Sequence, residues 1–475
     1  MNRHGFYHVC YYFYLTIIHM FFKKNPHVIF RDYDQFGLLV AYRHFAYGSN
    51  HNSPLYDTAI SASGSIIYQQ LNDRPQTIDE ITKKVSLIFK EVDKDILRQD
   101  VSEFLIQLAI ANYVIVENAP SLSLDNKITP TNKPNISNIN NIFTEYNIPL
   151  PRLSSVHVEI ASRCNERCIH CYIPHENKKD FISEELFHKL LIESNLLHVL
   201  HVTISGGEPM LHPAFCRFLA LLRQNEFAVS VLSNLTLLTE DIIREMKLNP
   251  LLGVQTSVYS MDENIHDSIT TVKGSLRKTI NAINLLLDNG IPIQISCPIM
   301  KQNKTSYKSV EKWGNEHGVQ VNADYVIIGG YNHTKENLDC RLSPTDIKVL
   351  LESSQDPILP NSQKDPNNYI CNVGGGSICV SELGTIYPCA GWQSCILGNL
   401  QNESLQDIWF RSKKLNTLRN LKLHQINGCS QCTYTQFCEP CLVRNANESP
   451  TGDPLEKNAF FCEIAKIRYN IATNK

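Results

Sequence analysis

From residue 155 onward, short apolar runs and amphipathic stretches take turns along the chain. Strand-like runs begin near residues 155, 201, 227, 253, 292 and 320. Between them, Ser183–Glu193, Pro213–Asn225, Glu240–Leu248, Ser275–Asp288 and Ser306–His317 read as helices. Two of these close on a polar residue and glycine, Asn289-Gly290 and His317-Gly318, as helix C-termini do. Strands alternating with helices predict a parallel sheet. In barrels built this way the chemistry collects at the C-terminal ends of the strands.

The first 120 residues carry a different pattern. Val28-Ile29-Phe30 and Phe36 to Tyr42 read as paired strands across a polar turn. Ser63 is placed to cap a helix carrying Ile66, Ile67 and Leu71. Thr77-Ile78-Asp79-Glu80 is a capping box, opening a helix with Ile78, Ile81, Val85 and Ile88 on one face. A further helix runs through Ile96, Val101, Phe104, Leu105 and Leu108, and Tyr113 to Val116 returns as a strand. This makes residues 20–120 a small α+β domain. Ahead of it, Phe6 to Phe22 is apolar and aromatic, contains His8 and His19, and closes on Lys23-Lys24. It falls short of the ~20 residues a membrane span needs, and no small-residue cleavage site follows. The expectation is that translation starts at Met20, that residues 1–19 are an over-called extension, and that no membrane is involved. Residues 121–152, rich in Asn, Ser, Pro and Thr, read as a linker.

Composition narrows the class. Of 475 residues, 43% are hydrophobic and 19% charged, with a net charge of −3. That is an ordinary globular balance of two to four domains, with no basic footprint for nucleic acid. Of the sixteen cysteines, most are grouped at short spacings, while Cys10, Cys216, Cys297 and Cys340 stand isolated and read as small buried side chains. Such grouping reads as metal ligation in a reducing cytosol rather than as a disulfide framework.

One cluster is Cys164-Asn165-Glu166-Arg167-Cys168-Ile169-His170-Cys171, directly after the strand-like Ser155 to Ile160. Three thiolates can claim three corners of a cubane, whereas a fully ligated cluster uses four. The competing zinc reading lacks the second CxxC pair that tetrahedral closure prefers. The loop resembles the CxxxCxxC signature of the radical SAM superfamily without gaps. Resemblance implies a partial (β/α)6 barrel over residues 153–335 and a [4Fe–4S] cluster on Cys164, Cys168 and Cys171. It further implies that the open iron holds S-adenosylmethionine, which is split reductively to a 5′-deoxyadenosyl radical. Thirty-four residues after Cys171, Ser205 opens Ser205-Gly206-Gly207-Glu208-Pro209, which is similar to the family's GGEP signature. By that likeness Gly206, Gly207, Glu208 and Pro209 bind the cofactor's amino end. Ser257, with Asn234, is a candidate for its ribose or carboxylate, and His170 for its adenine. Tyr259 stands where relatives carry an acid, so no catalytic acid or base is assigned. His266-Asp267, ahead of Lys273-Gly274-Ser275, is family-like or a solvated helix entry.

The C-terminal third, residues 336–475, holds Cys371, then Gly384 and Cys389. After these come Cys429-x2-Cys432-x5-Cys438-x2-Cys441 and finally Cys462. With Leu397-Gly398-Asn399-Leu400 and Ile408-Trp409, this resembles the SPASM domain of peptide-modifying radical SAM enzymes. Resemblance assigns Cys371, Cys389 and Cys441 to a nearer auxiliary cluster, and Cys429, Cys432, Cys438 and Cys462 to a farther one. Seven cysteines fall one short of the eight thiolates that two full clusters need. Either one site is open or Cys379 or Cys395 joins. A zinc ribbon is the rival, although its usual spacer of ~15 to 20 residues is far longer than the one here. The N-terminal domain resembles the winged-helix leader-binding element of ribosomal-peptide modification systems, like the small chaperone of pyrroloquinoline quinone biosynthesis. In that family a leader peptide adds a strand to the sheet edge.

Together the resemblances imply a cytoplasmic radical SAM maturase of a ribosomal precursor peptide, served by a flavodoxin- or ferredoxin-type electron donor. The alternatives are a maturase of a protein target, as in sulfatase formylglycine formation, and a non-catalytic metal-binding scaffold.

Overall fold

The computed structural model describes residues 20–41, 57–117, 142–177, 179–354, 357–361 and 365–473. They fall into two units, one ending at Leu150 and the other starting at Pro151. The expected extension at residues 1–19 lies outside the described residues, as does most of the expected linker.

In the first unit, β1 (Phe21–Lys24), β2 (Val28–Asp32), β3 (Phe36–Ala41), β4 (Thr58–Ser61), β5 (Gln76–Thr77) and β6 (Val114–Glu117) form two antiparallel sheets. Their orders are β2-β3-β4 and β5-β1-β6. Helices Ala62–Gln69, Ile78–Val85 and Lys94–Ile110 pack against them through Tyr68, Ile81, Val101 and Leu105. β2 and β3 pair as their alternation predicts, Phe30 opposite Leu39. The capping box at Thr77 and Glu80 is formed.

Four expectations are corrected. Ser61, not Ser63, caps the first helix, its hydroxyl accepting from Gly64 N–H at 3.1 Å. Ile88 is exposed because its helix stops at Val85. Ile96 is exposed because the buried stripe of its helix runs through Leu97, Val101, Leu105 and Leu108, one position round. The linker ends before residue 142, since Phe143 is buried against Tyr33 and Phe36.

In the second unit, β7 (Ser155–Ala161), β8 (His201–Gly206), β9 (Ala228–Leu232), β10 (Leu252–Ser257), β11 (Ile293–Pro298) and β12 (Gln320–Asp324) lie side by side in chain order. All neighbours are parallel. Each strand alternates. Val156, Val158, Val202, Ile204, Val229, Val231, Val254 and Ile295 pack outward with Phe187, Phe218, Leu222 and Ile283 of the covering helices. Glu159, Ser205, Ser230 and Gln294 are buried polar residues on the other face, with the half-buried His157. Apolar packing therefore lies outside the barrel, and the inner face is left polar and able to house a ligand.

The cysteine-rich region is not a separate body. β13 (Ser377–Val380) joins β7 in parallel, Ile378 opposite Val156, and β14 (Thr385–Tyr387) and β15 (Gly398–Asn399) extend the sheet to nine strands. Fully buried Trp409 donates its indole N–H to Pro151 O at 2.7 Å. Among the described residues no helix is long and apolar enough to cross a membrane.

Candidate active site

A cavity of about 270 Å³ opens at the C-terminal ends of β7 to β11. Cys164, Cys168 and Cys171 line it, together with His170, Gly206, Gly207, Asn234 and Ser257. Eight of the ten residues expected around the barrel cluster and its cofactor therefore meet at one place. Glu208 and Pro209 do not line it.

The cysteine loop is pinned from below. Arg167 N–H and Ile169 N–H donate to Thr270 O and Ile269 O at 3.1 and 3.0 Å. These carbonyls end the helix Glu263–Thr270, which corrects the reading of His266-Asp267 as a solvated helix entry. Asp267 accepts from Leu276 N–H at 3.1 Å and from Ser275 Oγ at 2.8 Å, and so caps the next helix. Its carboxyl is held below the usual range by these bonds against partial burial. His266 is buried, and its Nδ1 accepts from Tyr259 N–H at 3.3 Å.

Gly206 and Gly207 are required by the protein itself. Gly206 has φ +129, and a Cβ there would stand 2.0 Å from Ala161 O. A Cβ on Gly207 would stand 2.3 Å from Arg163 O and 2.5 Å from Ser162 O. Only side-chain-free backbone lets the end of β8 lie on the entry to the cysteine loop. Gly207 N–H and Glu208 N–H are then spent on Ala161 O and Arg163 O, at 2.7 and 2.8 Å.

Glu208 turns away from the cavity and is wholly buried. Its carboxyl accepts from Met210 N–H at 2.9 Å, Ser233 Oγ at 2.8 Å and Asn234 N–H at 2.8 Å. Burial outweighs those bonds and raises its pKa to about 7. The side chain thus braces the loop after β9, where Asn234 Nδ2 donates to Asn165 Oδ1 at 2.9 Å.

Several residues here were not anticipated. Glu166 is buried inside the loop, and its N–H donates to Cys164 Sγ at 3.4 Å. Tyr259 places its hydroxyl 4.0 Å from Cys168 Sγ and 3.5 Å from His170 Nε2. The position of Tyr259 just past the fourth strand was the available signal. His157, bonded to Ser205, lines the cavity too. Burial raises the Cys168 thiol well above its ordinary value, reinforced by the charges of Glu166, Cys171 and Cys164.

The C-terminal cysteines fall into two neighbourhoods. After burial, Cys389 is pushed up by the charges of Cys441 and Cys371. Cys429 is raised by burial and then by Cys462 and Cys432, with Lys457 opposing. Cys438, Cys429, Cys441 and Cys462 border one small cleft. Cys379 is buried in β13, where burial and then the charges of Cys389 and Glu159 raise its thiol well above the ordinary value. Cys395 packs in an apolar cluster with Trp392 and Leu418. Among the described residues no three or more His, Cys, Asp or Glu side chains converge as the ligands of one ion do. A cubane asks instead for one thiolate on each iron.

Comparison with known proteins places these features. Residues 158–312 match the radical SAM superfamily, and residues 371–433 match SPASM, an iron–sulfur cluster-binding domain. The chain is 25% identical over 311 residues to the antilisterial bacteriocin subtilosin biosynthesis protein AlbA of Bacillus subtilis, covering 61% of this chain and 67% of that protein. It is 23% identical over 288 residues to the PqqA peptide cyclase of Gluconobacter oxydans, covering 57% and 80%. The crystal structure of Streptococcus suis SuiB bound to precursor peptide SuiA aligns over 93% of this chain and 99% of that one, with a TM-score of 0.56 and 14% identity.

Proposed function

We propose that this chain, an S-adenosylmethionine-dependent enzyme with a radical SAM domain and an iron–sulfur SPASM domain, modifies a ribosomally made precursor peptide. The observation that carries the reading is the unit ahead of the barrel. It is two three-stranded antiparallel sheets with three helices packed on them, and the likeness to the SuiB fold, at 93% of this chain, is too extensive to leave that unit out. Its β4 edge, next to the helices, suits an added strand from a leader peptide.

The residues present fit the groups these domains use. Cys164, Cys168 and Cys171 are in no disulfide and are grouped at one cavity, and would hold the barrel [4Fe–4S] cluster with one iron left over. That cluster supplies the electron that splits S-adenosylmethionine when both are bound, and a flavodoxin- or ferredoxin-type protein would replenish it. With the N–H groups of Gly207 and Glu208 spent, Gly206 and Gly207 offer carbonyl oxygens, the acceptors an ammonium needs. Ser257 and Asn234 would take the ribose and carboxylate, and His170 the adenine. Glu208 and Pro209 act from behind, by holding the loops that do the binding. Cys371, Cys389 and Cys441 would hold the nearer auxiliary cluster, and Cys429, Cys432, Cys438 and Cys462 the farther one.

The test is anoxic co-expression with each short reading frame adjoining the gene, followed by mass spectrometry of the peptide. A cross-linked peptide loses two hydrogens with the wild-type chain and none with Cys164→Ala. Unchanged masses for every adjoining peptide would overturn the reading.

A further inference from the structure

The concave face that holds the cofactor cavity has a second one, of about 390 Å³. It is walled by β7, by the segment after the cysteine loop and by the hairpin of β13 and β14 with Gln393. Glu159 stands in it, two residues past His157 and therefore on the same side of β7, about 7 Å further along. Glu159 is 4% exposed. Gln393 Nε2 donates to its two oxygens at 2.9 and 3.2 Å, and the phenols of Tyr387 and Tyr172 lie beside it. Tyr172, which lies beside Glu159, lines the cofactor cavity.

Glu208 braces its loops without a cation, through N–H and hydroxyl donors, but a carboxylate that fastens two elements together can also be given a cation. Glu448 shows this in the same unit, where Arg341 Nη1 and Nη2 reach its oxygens at 3.0 and 2.5 Å. Glu159 is bonded instead by an amide, with two phenols beside it. Around it, Cys379 faces from β13, Tyr387 from β14, Glu382 from their turn, Tyr172 from the segment after the loop, and Tyr331 from beyond β12. Glu176, Lys179 and Asp180 line the same cavity. Burial, helped by the charge of Glu382 and opposed by the hydrogen bonds, lifts the Glu159 pKa to about 7. Such a group exchanges its proton at neutral pH.

Every cross-link made by this chemistry needs a proton acceptor. A substrate C–H gives its hydrogen atom to the 5′-deoxyadenosyl radical. The carbon radical then bonds to a partner X–H, where X is sulfur, oxygen or an aromatic carbon. The X–H bond breaks, C–X forms, and one proton and one electron must leave. We propose that the second cavity receives the X–H side chain of the peptide and that Glu159 takes up its proton as the new bond closes. The electron would go to the iron–sulfur clusters that the SPASM-domain cysteines would hold, the one-electron acceptor this step needs. This rests on the reading of the chain as a peptide maturase.

The experiment uses the full chain, reconstituted without oxygen, and the peptide that loses two hydrogens in the co-expression test. In Glu159→Gln, product formed per 5′-deoxyadenosine falls about 100-fold, and Glu159→Asp restores part of it. The wild-type product rate falls on the acid side of pH 7, where Glu159 is protonated, and that limb is missing in Glu159→Gln. A peptide-free measurement accompanies this, the infrared difference between wild type and Glu159→Gln. A protonated carboxyl band is present below neutral pH and lost with a midpoint near 7. It uses the Asp variant should the Gln variant not fold. A purely structural Glu159 would lower iron content, 5′-deoxyadenosine and product together, leaving their ratio and the pH profile unmoved; that result overturns the proposal. A carboxyl ionised throughout the titration overturns it as well. Failure of the wild-type chain to modify any peptide removes the maturase reading, and this proposal with it, whatever the infrared band shows.

Discussion

Replacing Gly207 by alanine asks what the paired glycines are for. The added Cβ would meet Arg163 O at 2.3 Å and Ser162 O at 2.5 Å, whereas real Cβ contacts essentially never close below 3.0 Å. Both obstacles are backbone, so no rotamer change relieves them. Either the end of β8 or the entry to the cysteine loop has to move by most of an ångström. Overpacking of this kind costs about 1–3 kcal/mol. The movement also stretches Gly207 N–H to Ala161 O and Glu208 N–H to Arg163 O, now 2.7 and 2.8 Å, each bond contributing about 0.5–1.5 kcal/mol. The total is about 2–6 kcal/mol, or roughly 3–9 °C in Tm for a unit of this size. A control is Gly290→Ala, where φ is +68 and nothing lies within 4 Å of the new Cβ. That change carries about 1–2 kcal/mol of backbone strain alone. Melting curves of anoxic protein, with and without S-adenosylmethionine, distinguish the two roles. The account expects Gly207→Ala to lower Tm and iron content even with no cofactor added. A variant that melts with the wild type and loses only cofactor affinity would refute the steric reasoning and leave the glycines serving the ligand.

Three further outcomes follow from particular contacts. Burial lowers His157 and His201 from 6.5 to about 4. The stability they lend is therefore present above pH 6.5 and lost as pH falls towards 4, about 3 kcal/mol at each histidine. Melts between pH 7.5 and 4.5 should show that slope, and His201→Gln should flatten it; an unchanged slope would contradict the assignment. Arg341→Met leaves the Glu448 carboxylate buried, with side-chain exposures of 7% and 10% for the original pair, and should cost about 3–5 kcal/mol. Adding Glu448→Leu should recover most of that loss in a denaturation midpoint, and no recovery would argue against a paired charge. Cys389→Ala and Cys432→Ala should each lower iron from about 12 to about 8 per chain, and the double variant to about 4. Loss of the same electron-paramagnetic signal in both single variants would merge the two auxiliary sites into one.

Much of the second unit was legible because each barrel strand buries one face against helices, which imposes the alternation that marks it. Predicted strand starts near 227, 253 and 292 became Ala228, Leu252 and Ile293. The barrel cysteines were legible because they sit within eight consecutive residues. What escaped depends on distant parts of the chain. β13 finds β7 more than two hundred residues back, and no local pattern announces that pairing. Glu208 belongs to a motif that suggests a ligand contact, yet the carboxyl faces Ser233 and Asn234. Glu159 sits in a run that reads as any buried strand, and its surroundings exist only once Tyr172, Tyr387 and Gln393 are assembled. The helix Glu263–Thr270 was hidden by polar residues that turn out to be caps.

The central claim is that the cavity beside Cys164, Cys168 and Cys171 is where S-adenosylmethionine is reductively split. Anoxic, reconstituted protein given dithionite and S-adenosylmethionine should release 5′-deoxyadenosine, and the Cys164→Ala, Cys168→Ala, Cys171→Ala variant should release none while keeping its SPASM-domain iron. A wild-type chain whose barrel cluster is spectroscopically filled, yet which forms no 5′-deoxyadenosine with or without peptide, would contradict it.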